Sequence, residues 1–303
     1  MKRVVVVVNK WWECHPALAA IMNANAQPPP NGLPWPKLFS SPRPRPDPRN
    51  LPPENPDPTP RAVFNLTNVS AEIWCVSDLL EHLPDTGKYQ SSSQQKAKVL
   101  GKIFHQSVDL TIAVGTAALP CDSRTENGNV AIGTKIFMHN GHPGGSNPDS
   151  NWTDGPFDRI VDSPLAPDTF ARIADADMAS IANRFLVPPC SPAPANRLLC
   201  KFENVALGTI NVTDTAEYPS ADLQTVSESA RAPGTGPLVS LETTHGLIRI
   251  QCKTPFLFIS GITNRLGHFD EEVKPRSYSQ NTVAAHNAGV ALAWLLPQID
   301  KVL

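Results

Sequence analysis

Two carboxylates and an amide stand where a folded chain would have reason to present them to a ligand. Glu13 follows the apolar run Val4–Val8, Glu242 ends the stretch LVSLE, and Asn264 ends PFLFISGITN. A carboxylate takes a proton from water or accepts hydrogen bonds from two hydroxyls. An amide donates or accepts a hydrogen bond but supplies no proton. A buried glutamate at a strand end is costly unless something pairs with it, which favours a ligand at Glu242. Glu13 has a plainer reading as well, as a first-turn glutamate favoured by the helix dipole. Gly115 and Thr116 close the stretch VDLTIAVGT, where backbone amides and a hydroxyl in a strand-end turn can meet a ligand. Asp214, in NVTDTAEY, and Asp270 are candidate acids, although such residues commonly serve as turns or caps. Trp12 could wall a pocket or pack in the core. His245 and His268 fall near these motifs and read as core or surface residues.

Composition narrows the partners. The chain has 303 residues, 41% hydrophobic and 18% charged, with a net charge of −2, so neither nucleic acid nor an anionic membrane is expected as a partner. The five N-terminal valines meet Asn9, Lys10 and Glu13 too soon for a signal peptide. No stretch approaches the roughly 18 apolar residues of a membrane span, and a cytoplasmic protein is expected. The six cysteines show no CxxC spacing, so reduced, buried thiols are the expectation. The eight histidines form no cluster with zinc-ligand spacing. Neither metal nor cofactor is expected, and no GxGxxG follows the first strand.

The elements that must position these groups alternate along the chain. Strands are predicted at Arg3–Val8, Ala62–Leu66, Glu72–Val76, Asp109–Val114, Val130–Met138, Val205–Val212, Leu238–Glu242 and Phe256–Gly261. Helices are predicted at His15–Ala24, Ser92–Phe104, Ala166–Arg184, Leu223–Glu228, Gly246–Cys252 and Ser279–Leu296, the last stopped by Pro297. Such alternation predicts a single α/β domain over residues 1–303, a three-layer α/β/α sandwich around a mixed, distorted sheet. Residues 28–60 hold fourteen of the 32 prolines. Proline lacks the amide donor and fixes φ, so this insertion reads as an extended surface excursion. The run Asn140–Gly155 reads as a loop rich in glycine, asparagine and aspartate.

Two groups of segments carry a family resemblance. The first is VDLTIAVGTAALP followed by NGNVAIGTKIFMHN; the second is GTINVTDTAEYPSADL followed by PLVSLETTHGLIRIQCKTPFLFISGITN. In order and spacing they resemble the nucleoside phosphorylase and nucleosidase superfamily, in particular methylthioadenosine/S-adenosylhomocysteine nucleosidase-like proteins. The resemblance implies an enzyme that cleaves the N-glycosidic bond of a purine or related nucleoside. Glu13 then matches the residue that activates water, and Glu242 the one that holds the ribose hydroxyls. Leu241 stands where methionine is usual, and Gly115 and Thr116 lie beside the ribose. Asn264 takes the place of an aspartate that protonates the leaving base. The family's next two glycines are Ala118 and Leu119 here, so the turn is bulkier.

A phosphorylase of this family would need arginines at a phosphate site. The strand position is Ala113, and the first loop, NKWWEC, offers only Lys10 as a cation. Hydrolysis by water is therefore favoured over phosphorolysis, with a non-catalytic nucleoside-binding member as the further alternative. The resemblance also implies a homo-oligomer, dimer or trimer.

Overall fold

A computed structural model describes residues 1–23, 37–38, 60–81, 93–104, 106–119, 127–139, 159–161, 172–173, 181, 184–190, 199–209, 238–242, 244–273, 275 and 279–303. The chain builds one mixed sheet with helices on both faces. Its strands are β1 (Lys2–Val8), β2 (Lys37–Leu38), β3 (Ala62–Asn65), β4 (Val69–Cys75), β5 (Leu110–Leu119), β6 (Val130–His139), β7 (Arg159–Val161), β8 (Leu199–Thr209), β9 (Leu238–Glu242) and β10 (Phe256–Arg265). The helices are α1 (Trp11–Asn23), α2 (Val76–Glu81), α3 (Ser93–Ile103), α4 (Thr244–Gln251), α5 (Phe269–Glu272) and α6 (Ser279–Val302).

Strand β1 runs parallel between β4 and β5. Its valines alternate between the two faces, which is why a run with no polar residue is stable there. Val4, Val6 and Val8 pack with Cys14, Leu18 and Ile21 of α1 and with Ala288, Leu292 and Leu295 of α6. Val5 and Val7 pack on the opposite face with Leu79 of α2, Leu100 of α3 and Leu247 of α4. This is the expected α/β/α sandwich.

The distortion has a definite form. Strand β5 pairs in parallel with β10, β10 antiparallel with β6, β6 with β8 and β8 with β9 in parallel, and β9 antiparallel with β5 again. These five strands close a ring, while β1, β4, β3 and β2 continue from β5 as an open sheet. The closing contact is a single register pair, Ala118 with Leu241. It brings the end of β9, and with it Glu242, beside the C-terminal half of β5.

Several expected boundaries are corrected. Helix α1 begins at Trp11, four residues before the expected start, leaving Pro16 inside it. The Glu13 carboxylate accepts the backbone N–H of Lys10 at 3.0 Å, the reciprocal half of a capping box, and this fixes the earlier start. Helix α6 runs through Pro297 to Val302. Its last turn is kept by burial of Leu296 and Ile299. Asp300 Oδ1 also accepts the amides of Asn68 and Val69 at 2.6 and 2.8 Å. Packing and these bonds outweigh the backbone bond the proline removes. Strand β5 extends past the expected end, so Gly115 and Thr116 are strand residues and not a turn. Parallel pairing with β10 continues through Gly115 and Thr116, opposite Ser260 and Gly261, to Leu119 opposite Arg265, across an irregularity between Ile262 and Asn264.

Of the proline-rich insertion, Lys37–Leu38 and Pro60 fall among the described residues, the former as an edge strand on β3. The loop Asn140–Gly155 and the helix expected at Leu223–Glu228 lie outside them, as does most of the helix expected at Ala166–Arg184. Cys14, Cys75, Cys190 and Cys252 are buried free thiols. No helix among the described residues is long and apolar enough to cross a membrane.

Candidate active site

Glu13 is carried by the first turn of α1, and close packing sets that helix on the sheet. Gly289 of α6 faces Ala17, one turn below Glu13: a β-carbon on Gly289 would lie 2.5 Å from both the Cα and the carbonyl oxygen of Ala17. Only a glycine lets the two helices approach this far. So seated, Glu13 is buried, and its Oε1 accepts the amide and hydroxyl of Thr116 at 2.9 and 2.7 Å.

Glu242 ends β9 immediately before α4. It is also buried, and its Oε2 accepts the amides of Thr244 and His245, each at 2.5 Å. The positive end of the helix thus meets one carboxylate oxygen, and Oε1 is left to face β5.

The two glutamates converge on Gly115. A β-carbon on this glycine would lie 3.3 Å from His245 Nε2, 3.4 Å from Glu13 Oε1 and 3.8 Å from Glu242 Oε1. Three polar atoms from α4, α1 and β9 therefore share a space that the missing side chain leaves beside the strand. His245 is buried with its Nδ1 3.4 Å from Ser260 Oγ, while its Nε2 has no hydrogen-bond partner among the described residues.

The electrostatics follow from burial. Desolvation pushes the Glu242 carboxyl up to about 7, against the pull of the His245 amide and Lys96. Burial, reinforced by repulsion from Glu242, raises Glu13 as well. Burial drives the His245 imidazole down to about 4, with Glu13 opposing. The ring is thus neutral at pH 7. Lys96, buried on α3, is pushed down to about 8, mainly by desolvation and then by Lys10, while Glu242 and Glu13 hold it up.

Among the residues singled out from sequence, Glu13, Gly115, Thr116 and Glu242 form one cluster. Leu241 is buried beside them, opposite Ala118. Asn264 lies across β5 from Leu241, opposite the same Ala118. Its amide is engaged along its own strand: Oδ1 accepts the Thr263 hydroxyl, and Nδ2 donates to the Arg265 carbonyl at 2.7 Å. Trp12 is half-buried beside Glu13, and among the described residues no hydrogen bond or ring contact joins it to the carboxylates. Asp214 lies outside the described residues. Asp270, at the start of α5, belongs to the neighbourhood of Arg265 and Glu272 and not to the glutamate pair. His268 is half-buried and paired with Glu271 at 3.0 Å.

Two residues of the cluster were missed in sequence. The first loop offers only Lys10 as a cation, yet Lys96 is electrostatically joined to both glutamates. A signal for it exists: Lys96 falls in line with Val99, Leu100 and Ile103, on the apolar stripe of α3. His245 likewise aligns with the buried Ile248 and Cys252.

No family model and no curated protein matches this chain. Solved structures do. An MTA/SAH nucleosidase is similar over 99% of this chain and 96% of its own, with TM-score 0.56 and 11% identity. The 5′-methylthioadenosine nucleosidase of Arabidopsis thaliana is similar over 99% and 96%, with TM-score 0.52 and 11% identity. A futalosine hydrolase mutant of Helicobacter pylori is similar over 100% of both chains, with TM-score 0.51 and 10% identity. With the ring of five strands and its open extension, these likenesses show that the chain shares the fold of these nucleosidase and futalosine hydrolase structures.

Proposed function

We propose that this protein is a nucleosidase that hydrolyses the N-glycosidic bond of a purine nucleoside or a related nucleoside. The observation that carries the reading is the convergence of Glu13 Oε1 and Glu242 Oε1 on the open side of Gly115. Stability alone gives no reason to bury two carboxylates against each other, because each raises the cost of ionising the other.

In this reading Glu242 accepts the ribose hydroxyls through Oε1, while the helix amides hold Oε2. Its charge also stabilises the cation-like sugar of the transition state. Glu13 takes a proton from the attacking water. Thr116 acts through Glu13, whose carboxylate it orients by two hydrogen bonds. Leu241 and Trp12 shape the walls. Asn264 hydrogen-bonds the departing base after releasing one of its strand partners. Lys96 serves as counter-ion to the two glutamates; an amine so engaged is a poor phosphate receptor, which keeps hydrolysis ahead of phosphorolysis. Residence in the cytoplasm and assembly into a dimer or trimer belong to the same proposal.

The test is a panel of methylthioadenosine, adenosine, inosine and guanosine, each incubated with and without phosphate, with free base followed by chromatography. Base release independent of phosphate is expected. Release only with phosphate would overturn hydrolysis. Binding without release would overturn catalysis in favour of a nucleoside-binding protein.

A further inference from the structure

Within the cluster, the most unusual atom is His245 Nε2. It is buried and has no hydrogen-bond partner among the described residues, a state that most buried polar atoms avoid. It also has a defined aim, because it is the atom nearest to a β-carbon on Gly115. We propose that His245 is a catalytic residue of the hydrolysis described above, its Nε2 accepting a hydrogen bond from the water that attacks the sugar. The proposal rests on the nucleosidase reading.

The ring has few degrees of freedom. It leans on Phe258, with centroids 6.0 Å apart. Its Nδ1 sits 3.4 Å from Ser260 Oγ and 4.0 Å from Glu242 Oε2. A neutral imidazole carries one hydrogen, and a carboxylate and a hydroxyl oxygen beside Nδ1 draw the hydrogen there. Nε2 is then a bare acceptor directed at the space above Gly115. Glu13 Oε1 is an acceptor directed at the same space, and two acceptors cannot bond to each other. A molecule that bridges them must bring two donors, which a water does.

A water giving one O–H to Glu13 Oε1 and the other to His245 Nε2 turns its lone pairs away from both, toward the sugar. Glu13 Oε1 already accepts two hydrogen bonds from Thr116, so alone it would hold the water loosely. In the reaction the water oxygen bonds to the anomeric carbon, and the pair of the broken carbon–nitrogen bond leaves with the base. One water proton passes to Glu13 and returns through solvent to the base nitrogen. The other remains on the new sugar hydroxyl, hydrogen-bonded to His245. Nucleoside plus water gives sugar plus free base.

The experiment compares the wild-type chain with His245→Ala and His245→Gln, on whichever panel nucleoside the wild type cleaves. His245→Ala is expected to lose on the order of 100-fold in kcat with KM little changed, since the ribose contacts of Glu242 remain. Added imidazole should restore part of that kcat by entering the space of the missing ring, and should not raise the kcat of the wild type. An undiminished kcat in His245→Ala would overturn the proposal while leaving the nucleosidase reading intact. A wild type that cleaves no nucleoside would overturn that reading itself. Should His245→Ala fail to fold, the proposal remains testable by nitrogen NMR of ¹⁵N-histidine-labelled wild type at pH 7, with His245 assigned by its absence in His245→Gln. An unprotonated Nε2 is expected; a proton on Nε2 would overturn the water-accepting role.

Discussion

Replacing Glu242 by glutamine isolates the charge of one buried carboxylate. The glutamine carbonyl can accept the Thr244 and His245 amides that now bond Oε2. Its amide donors would then face Glu13 Oε1 and His245 Nε2, two acceptors on the far side. The wild-type carboxyl ionises at about 7 in the folded protein, against 4.5 ordinarily, chiefly because burial disfavours its charge. The folded chain therefore holds this proton more tightly than the unfolded one. The resulting stability is fully present below 4.5 and is lost as pH rises through about 7. At about 1.4 kcal/mol for each unit of separation, the loss amounts to about 3 kcal/mol. Relief of the repulsion on Glu13 adds to the variant's gain, and loss of the counter-ion to Lys96 subtracts from it.

Urea unfolding of both proteins at pH 5 and pH 8, followed by tryptophan fluorescence and circular dichroism, reads the effect as a difference of differences. Other titrating groups largely cancel. Relative to wild type, Glu242→Gln should gain about 2.5 kcal/mol between the two pH values. The same variant should lose nucleoside affinity on the order of 100-fold, because two charge-assisted hydrogen bonds become neutral ones. A variant whose stability tracks wild type at both pH values would refute the reasoning. So would one that is stabilised yet binds nucleoside normally, which would separate the buried charge from the ligand.

Three further substitutions test the same construction. Gly115→Ala places a methyl 3.3 Å from His245 Nε2 and 3.4 Å from Glu13 Oε1; nucleoside affinity measured by calorimetry should fall at least about tenfold in a folded protein, and unchanged affinity would mean that ligand does not use this space. Glu13→Gln should lower single-turnover rates by about 100-fold or more with binding retained. Wild-type rates in this variant would remove Glu13 as the proton acceptor. Gly289→Ala sets a methyl 2.5 Å from the Ala17 backbone, forces α1 off α6, and should cost about 1–3 kcal/mol together with turnover; an unchanged Tm would refute the close-approach argument.

How far the sequence foretells this site depends on how local each signal is. The five valines of β1 declare a strand because alternate side chains meet separate apolar layers, and the stretch LVSLE declares one by its strand-forming residues. Glu242 at the end of β9 is legible for the same reason. Pro297 misled, since the backbone bond it removes is a local loss, while the compensation comes from distant partners such as Asn68 and Val69. Gly115, Thr116 and Asn264 read as strand ends because their types suit turns, yet pairing between β5 and β10 carries the chain straight through them. Lys96 and His245 escaped because their meaning is a relation: each lies on an apolar stripe that becomes polar only where β9 returns to β5. Glu13 shows why chemistry and architecture are hard to separate from sequence. A glutamate three residues into a helix is accounted for by its half of a capping box, and no local pattern announces that its other oxygen faces a second carboxylate. That second contact exists only because Gly289 admits α1 to within backbone contact of α6, so a glycine 276 residues away from Glu13 is as much a part of the site as the carboxylate it positions.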